Sequence, residues 1–282
     1  MIVAIPIGPA DWLDEAINTI RHIKSKLERG DELLLLLDRY TSLPYSFVVW
    51  AVKQADRVLT SRYPFGLGDV RNAALEYALR KKECIAYSDA HVVINGDIHR
   101  LCDVKMGVPE KTWRKFLGLS YIFGYFTFVG PAYDPSKWII VNNLKEFFAH
   151  DNPVYSISPE MIETVKDYLH YFPPFFFREI SAVILSIHRL TEEPIKAVNG
   201  VTVVHRHRTS FELSRRNKIV CRGHPICDQP NPYTTAVNIN VAMYRVLHYG
   251  DRSDVPFKDK LDELRKQFVV DNLRLLYLKY GY

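Results

Sequence analysis

Apolar and polar positions alternate in blocks along the first hundred residues. Ile2 to Ile7 carries no charged side chain and is closed by Gly8 and Pro9. A short apolar run between turn residues predicts a buried strand. From Trp12 to Arg29 the apolar positions are Trp12, Leu13, Ala16, Ile17, Ile20, Ile23 and Leu27. That spacing makes one stripe along a helix, broken at Gly30-Asp31. Five leucines then run from Leu33 to Leu37 and end at Asp38, which predicts a second strand over 32–37. The pattern continues with a helix over 46–55 and a short strand over 57–60. A third helix follows over 70–80, behind Gly66 and Gly68. A fourth strand covers 84–87 and runs into Ser88-Asp89-Ala90-His91.

Strands separated by helices imply parallel pairing through right-handed crossovers. In such sheets ligands sit beyond the carboxyl ends of the strands. Asp38 and Asp89 stand at two such ends.

The pattern is less regular afterwards. Residues 113–176 are rich in aromatics, Trp113, Tyr121 and Trp138 among them. A helix is expected over 180–190, and a strand over 201–204 runs into His205-Arg206-His207-Arg208. Residues 215–235 hold Gly223, Pro225, Pro230 and Pro232, and read as a loop. Helices are expected over 238–248 and 261–280, the last with an apolar side and basic neighbours. The expected organisation is one α/β domain over 1–212 and a loop plus C-terminal helical extension over 213–282.

Composition adds bounds. The 282 residues are 48% hydrophobic, enough for a sizeable core, with net charge +5. A mild positive balance fits an anionic small substrate, and it fits nucleic acid too. No stretch reaches the roughly 20 apolar residues that span a bilayer, and no secretory leader pattern opens the chain. A soluble cytoplasmic protein is expected, with peripheral membrane contact open through the basic closing helix. Four cysteines are few for a disulfide scaffold of this size. Scarce glutamine hints at a thermophilic source.

The sharpest chemical signal is Asp89-Ala90-His91 after a buried strand. Alternate positions at a strand end can turn a carboxylate and an imidazole toward one ion, and both suit Mn²⁺. Such an ion would neutralise charge developing on a leaving diphosphate. The glycines before 70–80 admit close backbone approach, and a helix N-terminus favours phosphate. Arg71 there either meets a diphosphate or pairs with a carboxylate near the metal. His205 and His207 share a strand face, so alternation does not choose between them. Cys221, His224 and Cys227 form a rival zinc set with a wide Cys-x₅-Cys spacing. A disulfide between Cys221 and Cys227 and two free cysteines are the other options.

Taken together, 2–6, 33–38, 66–74 and 87–91 resemble GT-A glycosyltransferases of the family 2 type. The Asp-x-His form is similar to the polypeptide N-acetylgalactosaminyltransferases. The resemblance extends through Tyr155 to Ser158, Arg178-Glu179, His205 with Arg208, and more weakly the closing helix. It implies a GT-A fold, a mixed and mainly parallel sheet flanked by helices. It further implies a sugar moved from a nucleoside-diphosphate donor, UDP foremost, to a hydroxyl acceptor on protein, glycan or lipid.

The same resemblance implies the site. Asp89, His91 and His205 hold Mn²⁺ or Mg²⁺, Asp38 reads the base, and Pro6, Arg71 and Asp89 belong to the donor site. Glu179 serves the acceptor side as a base or a positioning group. The family's paired glycines before that glutamate are replaced by Phe175-Phe176-Phe177. Competing readings are a nucleotidyltransferase, a basic nucleic-acid-binding module and an inactive GT-A scaffold. The first lacks its cations in Ile7-Gly8-Pro9-Ala10, the second lacks a long basic cluster, and no nucleic-acid partner is expected.

Overall fold

The computed structural model describes residues 1–9, 11–38, 42–61, 67–116, 119–122, 153–166 and 195–206, with 187, 191 and 193. The expected strand–helix alternation is present as β1 (Ile2–Ile7), α1 (Leu13–Lys24), β2 (Glu32–Asp38), α2 (Tyr45–Gln54), β3 (Arg57–Ser61), α3 (Leu67–Lys81) and β4 (Ile85–Ser88). Next come β5 (Val92–Asn95), a 3₁₀ turn (Ile98–Asp103), β6 (Met106–Phe116), β7 (Leu119–Ile122), β8 (Val154–Ile157), a short helix α4 (Pro159–Glu163) and β9 (Lys196–Arg206).

The described strands join one mixed sheet in the order β3-β2-β1-β4-β8-β6-β9-β5, with β7 paired to β6. β3, β2, β1 and β4 are mutually parallel. β8 runs antiparallel to β4 and β6, and β5 antiparallel to β9, while β6 and β9 are parallel. Strand order reverses beside β1, whose neighbours are β2 and β4. The carboxyl ends of β1 and β4 therefore border the crevice where open α/β sheets take ligands.

Burial explains the apolar runs. Every residue of β1 is buried, as are Leu33 to Leu37 and all of β4. Alternate side chains enter two cores. Ile2, Ala4, Leu34 and Leu36 pack with Ala74, Leu75 and Ala78 of α3. Val3, Ile5, Leu33 and Leu35 pack with Ala16, Ile20 and Ile23 of α1. Each face of the sheet is thus covered by a helix stripe, as continuous apolar strands require.

Several expectations need correction. α1 stops at Lys24 rather than Arg29, because the chain turns at Ser25 and Leu27 folds back onto the core. β5 and β6 were not legible as strands, and β9 is longer than its expected 201–204. One disulfide does form, joining Cys84 at the entry to β4 with Cys102 in the 3₁₀ turn, 18 positions apart. Residues 207–282, which include Cys221, Cys227 and the proposed C-terminal extension, lie outside the described residues. Among the described residues no helix is long and apolar enough to cross a membrane.

Candidate functional site

Asp89, Ala90 and His91 form the connection from β4 to β5. The Asp89 backbone N–H donates to the Pro153 carbonyl at 2.8 Å, which fixes where the carboxylate leaves the sheet. α1 secures β5 from behind. Thr19 Oγ1 donates to the Val92 carbonyl at 3.0 Å, and His22 Nε2 lies 2.7 Å from the Ile94 carbonyl.

β9 supplies the third group. Val92 pairs with His205, and the Arg206 N–H donates to the His91 carbonyl at 2.9 Å. That register sets the two imidazoles face to face, with ring centres 4.6 Å apart and planes 23° apart. Their Nε2 atoms stand 2.7 Å from each other. At that distance one ring donates its N–H to the other's lone pair. His205 Nε2 is also 3.6 Å from Asp89 Oδ2. One ligand atom from each of Asp89, His91 and His205 fits within 4.8 Å of the others.

Arg71 lies in α3. Its Nη2 lies 3.3 Å from Asp89 Oδ1, so it pairs with the carboxylate. Asp89 is divided by this contact, with Oδ1 toward the guanidinium and Oδ2 toward His205. The Tyr87 hydroxyl donates to the Arg71 carbonyl at 2.5 Å, and its ring packs on Tyr155 at 5.3 Å. Strand β4 thereby holds both members of the ion pair.

Asp11 is a residue that sequence reasoning missed. It follows the turn after β1, and its Oδ2 accepts the Gly8 N–H at 2.7 Å. Its Oδ1 lies 3.9 Å from His91 Nδ1. Burial pushes its carboxyl up to about 7 against the Gly8 hydrogen bond, with the Asp89 and Asp38 charges adding and Arg71 opposing. The only signal in the sequence was an acidic residue just beyond the first strand, which reads as a helix-start aspartate.

Asp38 is buried at the end of β2, 1% exposed. A side-chain carbon at Gly8 would stand 3.5 Å from Asp38 Oδ2 and 3.9 Å from Asp11 Oδ2. Both carboxylates thus lie beside the backbone where β1 ends. Pro6 is buried within β1, opposite Leu36. Trp113 is half-buried in β6. Glu179, His207, Trp138 and the glycine at 66 lie outside the described residues.

The donor set is a carboxylate with two imidazoles at the switch point of a sheet. It is a set that divalent first-row ions accept, Mn²⁺ among them. The spacing fits one ion, since two ligands at about 2.1 Å can be no more than about 4.2 Å apart, and small side-chain shifts close the remainder. The residues present therefore fit a divalent cation without selecting which.

No protein-family model matches the chain, and no curated protein matches it. Among solved structures it is similar to S. aureus TarS in complex with UDP, at 14% identity and TM-score 0.49, covering 94% of this chain and 77% of that one. It is also similar to TarS in complex with UDP-GlcNAc, at 14% identity and TM-score 0.45, covering 92% and 75%.

Proposed function

We propose that the chain is a divalent-cation-dependent glycosyltransferase of GT-A type. It moves a sugar from a nucleoside diphosphate, with uridine preferred, to a hydroxyl acceptor. One observation carries the reading: Asp89, His91 and His205, up to 116 positions apart in the chain, converge at the crevice where strand order reverses. The sequence resemblance supports the same three residues, and its likeness to polypeptide N-acetylgalactosaminyltransferases rests on the Asp-x-His and His205 pattern.

In this reading Asp89 Oδ2, His91 and His205 hold Mn²⁺ or Mg²⁺. The bound ion supplies charge neutralisation for the departing diphosphate. Arg71 holds Asp89 in place through Oδ1 and adds positive charge to the same edge. Asp38, an acceptor when ionised, selects a base edge that donates, as uracil N3–H does. Pro6 and Gly8 keep the end of β1 close to the nucleotide. Glu179 takes the acceptor proton, or holds the acceptor if configuration is retained. The segment 213–282 completes the domain as an extension, with membrane contact through its closing helix as part of the proposal, as is a cytoplasmic site of action.

The test is a panel of nucleotide sugars with and without chelation. Donor hydrolysis restored by Mn²⁺ after chelation, and lost in Asp89→Asn, supports the reading. Hydrolysis that ignores chelation rejects the ligand assignment.

A further inference from the structure

We propose that Asp11 is a positioning residue for His91: its carboxylate keeps the imidazole proton on Nδ1 and so keeps the Nε2 lone pair aimed at the cation position. The inference rests on the metal reading given above, and extends it to a residue outside the ligand set.

The carboxylate is itself held. Gly8 N–H donates to Asp11 Oδ2 at 2.7 Å, and Asp11 N–H donates back to the Gly8 carbonyl at 3.0 Å. These two bonds tie the turn and leave Oδ1 facing His91 Nδ1 at 3.9 Å. Both side chains are nearly enclosed, 12% exposed for Asp11 and 15% for His91. His205 Nε2 stands 2.7 Å from the opposite nitrogen of the same ring. His91 therefore lies between a carboxylate on one side and the ligand cluster on the other.

The two nitrogens of a neutral imidazole are complementary: a proton on one leaves a lone pair on the other. An ionised carboxylate only accepts, so beside Nδ1 it favours the proton there. At 3.9 Å the effect is that of a charge on the ring dipole rather than a direct hydrogen bond. Arg71 is turned to Asp89 Oδ1, and Asp89 Oδ2 faces His205. Metal-binding histidines generally donate the second N–H to a hydrogen-bonded partner, whose removal costs roughly 10–100-fold in metal affinity; a carboxylate at 3.9 Å is expected to act at the lower end of that range.

Asp11→Asn separates this role from simple packing. The amide oxygen can still accept the Gly8 N–H, while its NH₂ takes the place of Oδ1. A donor beside Nδ1 favours a lone pair there and moves the ring proton to Nε2. Long-range ¹H–¹⁵N spectra of the metal-free full chain at pH 8 read the tautomer, with His91→Gln assigning the resonance. The expected result is Nδ1–H in the wild type and Nε2–H in Asp11→Asn. Calorimetric titration with Mn²⁺ should then show binding weaker by about tenfold in the variant.

A wild-type His91 that is mainly Nε2–H, or a tautomer unmoved by Asp11→Asn, overturns the proposal. So does a tautomer that moves with no loss of Mn²⁺ affinity. If the variant does not fold, the wild-type spectrum decides alone. If the wild type binds no Mn²⁺, the metal reading falls, and with it the link to a cation, while the spectrum still judges the Asp11–His91 coupling.

Discussion

The Cys84–Cys102 disulfide encloses Asp89 and His91 in one loop, so removing it perturbs stability around the candidate site. Its ends are 18 positions apart. For a loop of that length the chain-entropy relation gives about 11 cal/mol/K, or about 3 kcal/mol at 25 °C. Across the whole chain that corresponds to a fall of about 5 °C in melting temperature. The geometry of the site should survive. Asp89 is fixed by its backbone bond to Pro153, and His91 by the β5–β9 pairing, neither of which depends on the sulfurs. The assay is reversible urea unfolding of the oxidised protein and of Cys84→Ser/Cys102→Ser, with Mn²⁺ titration of each folded form. Differential alkylation with peptide mapping separates this pair from Cys221 and Cys227. A midpoint unchanged in the double variant would refute the entropic account. Thiols titratable at 84 and 102 in air-oxidised protein would refute the bond itself.

Three further outcomes are expected. His205→Asn should remove most of the thermal stabilisation by Mn²⁺, which for the wild type at a hundredfold excess over Kd is about 2.7 kcal/mol; an undiminished shift in scanning calorimetry would exclude His205 as a ligand. His99 bridges Asp31 at 2.7 Å and Asp97 at 2.8 Å, and the Asp31 bond, with that of Asp97, raises its pKa above the ordinary 6.5 in spite of partial burial. A raised pKa means stability present below 6.5 and lost as pH climbs through the folded value. The stability gap between wild type and His99→Gln, followed by urea midpoints from pH 6 to 9, should therefore close on the alkaline side; a gap that widens would contradict the bridge. Gly96 has φ +89°, and a side-chain carbon there would sit 2.0 Å from the Gly200 carbonyl oxygen. Gly96→Ala should cost about 3 kcal/mol in denaturant unfolding, and a neutral effect would show that the β5–β9 end gives way freely.

Much of the first half was legible because its information is local. An apolar run such as Leu33 to Leu37 must be covered on both faces, and the stripes on α1 and α3 supply the cover. Periodicity over a few residues carries that information. It also marked Asp89, His91 and Arg71, because strand ends and helix starts are where chemistry gathers in such sheets. The helical spacing overruns α1 because Leu27 continues the period while packing from beyond the helix end.

The tertiary structure decided what depends on distant pairing. Val92 pairs with His205 across 113 positions of chain, which brings that imidazole beside His91, while His207 lies outside the described residues. Nothing local in 92–95 or 196–206 states that partnership, since strand pairing is chosen by the whole sheet. The same holds for Cys84 and Cys102, for the division of Asp89 between Arg71 and His205, and for Asp11 beside His91. Sequence by itself settles which segments must be buried and which residues bear useful chemistry. Which of those residues meet is a property of closure, because side chains remote along the chain acquire their distances only once the sheet has formed.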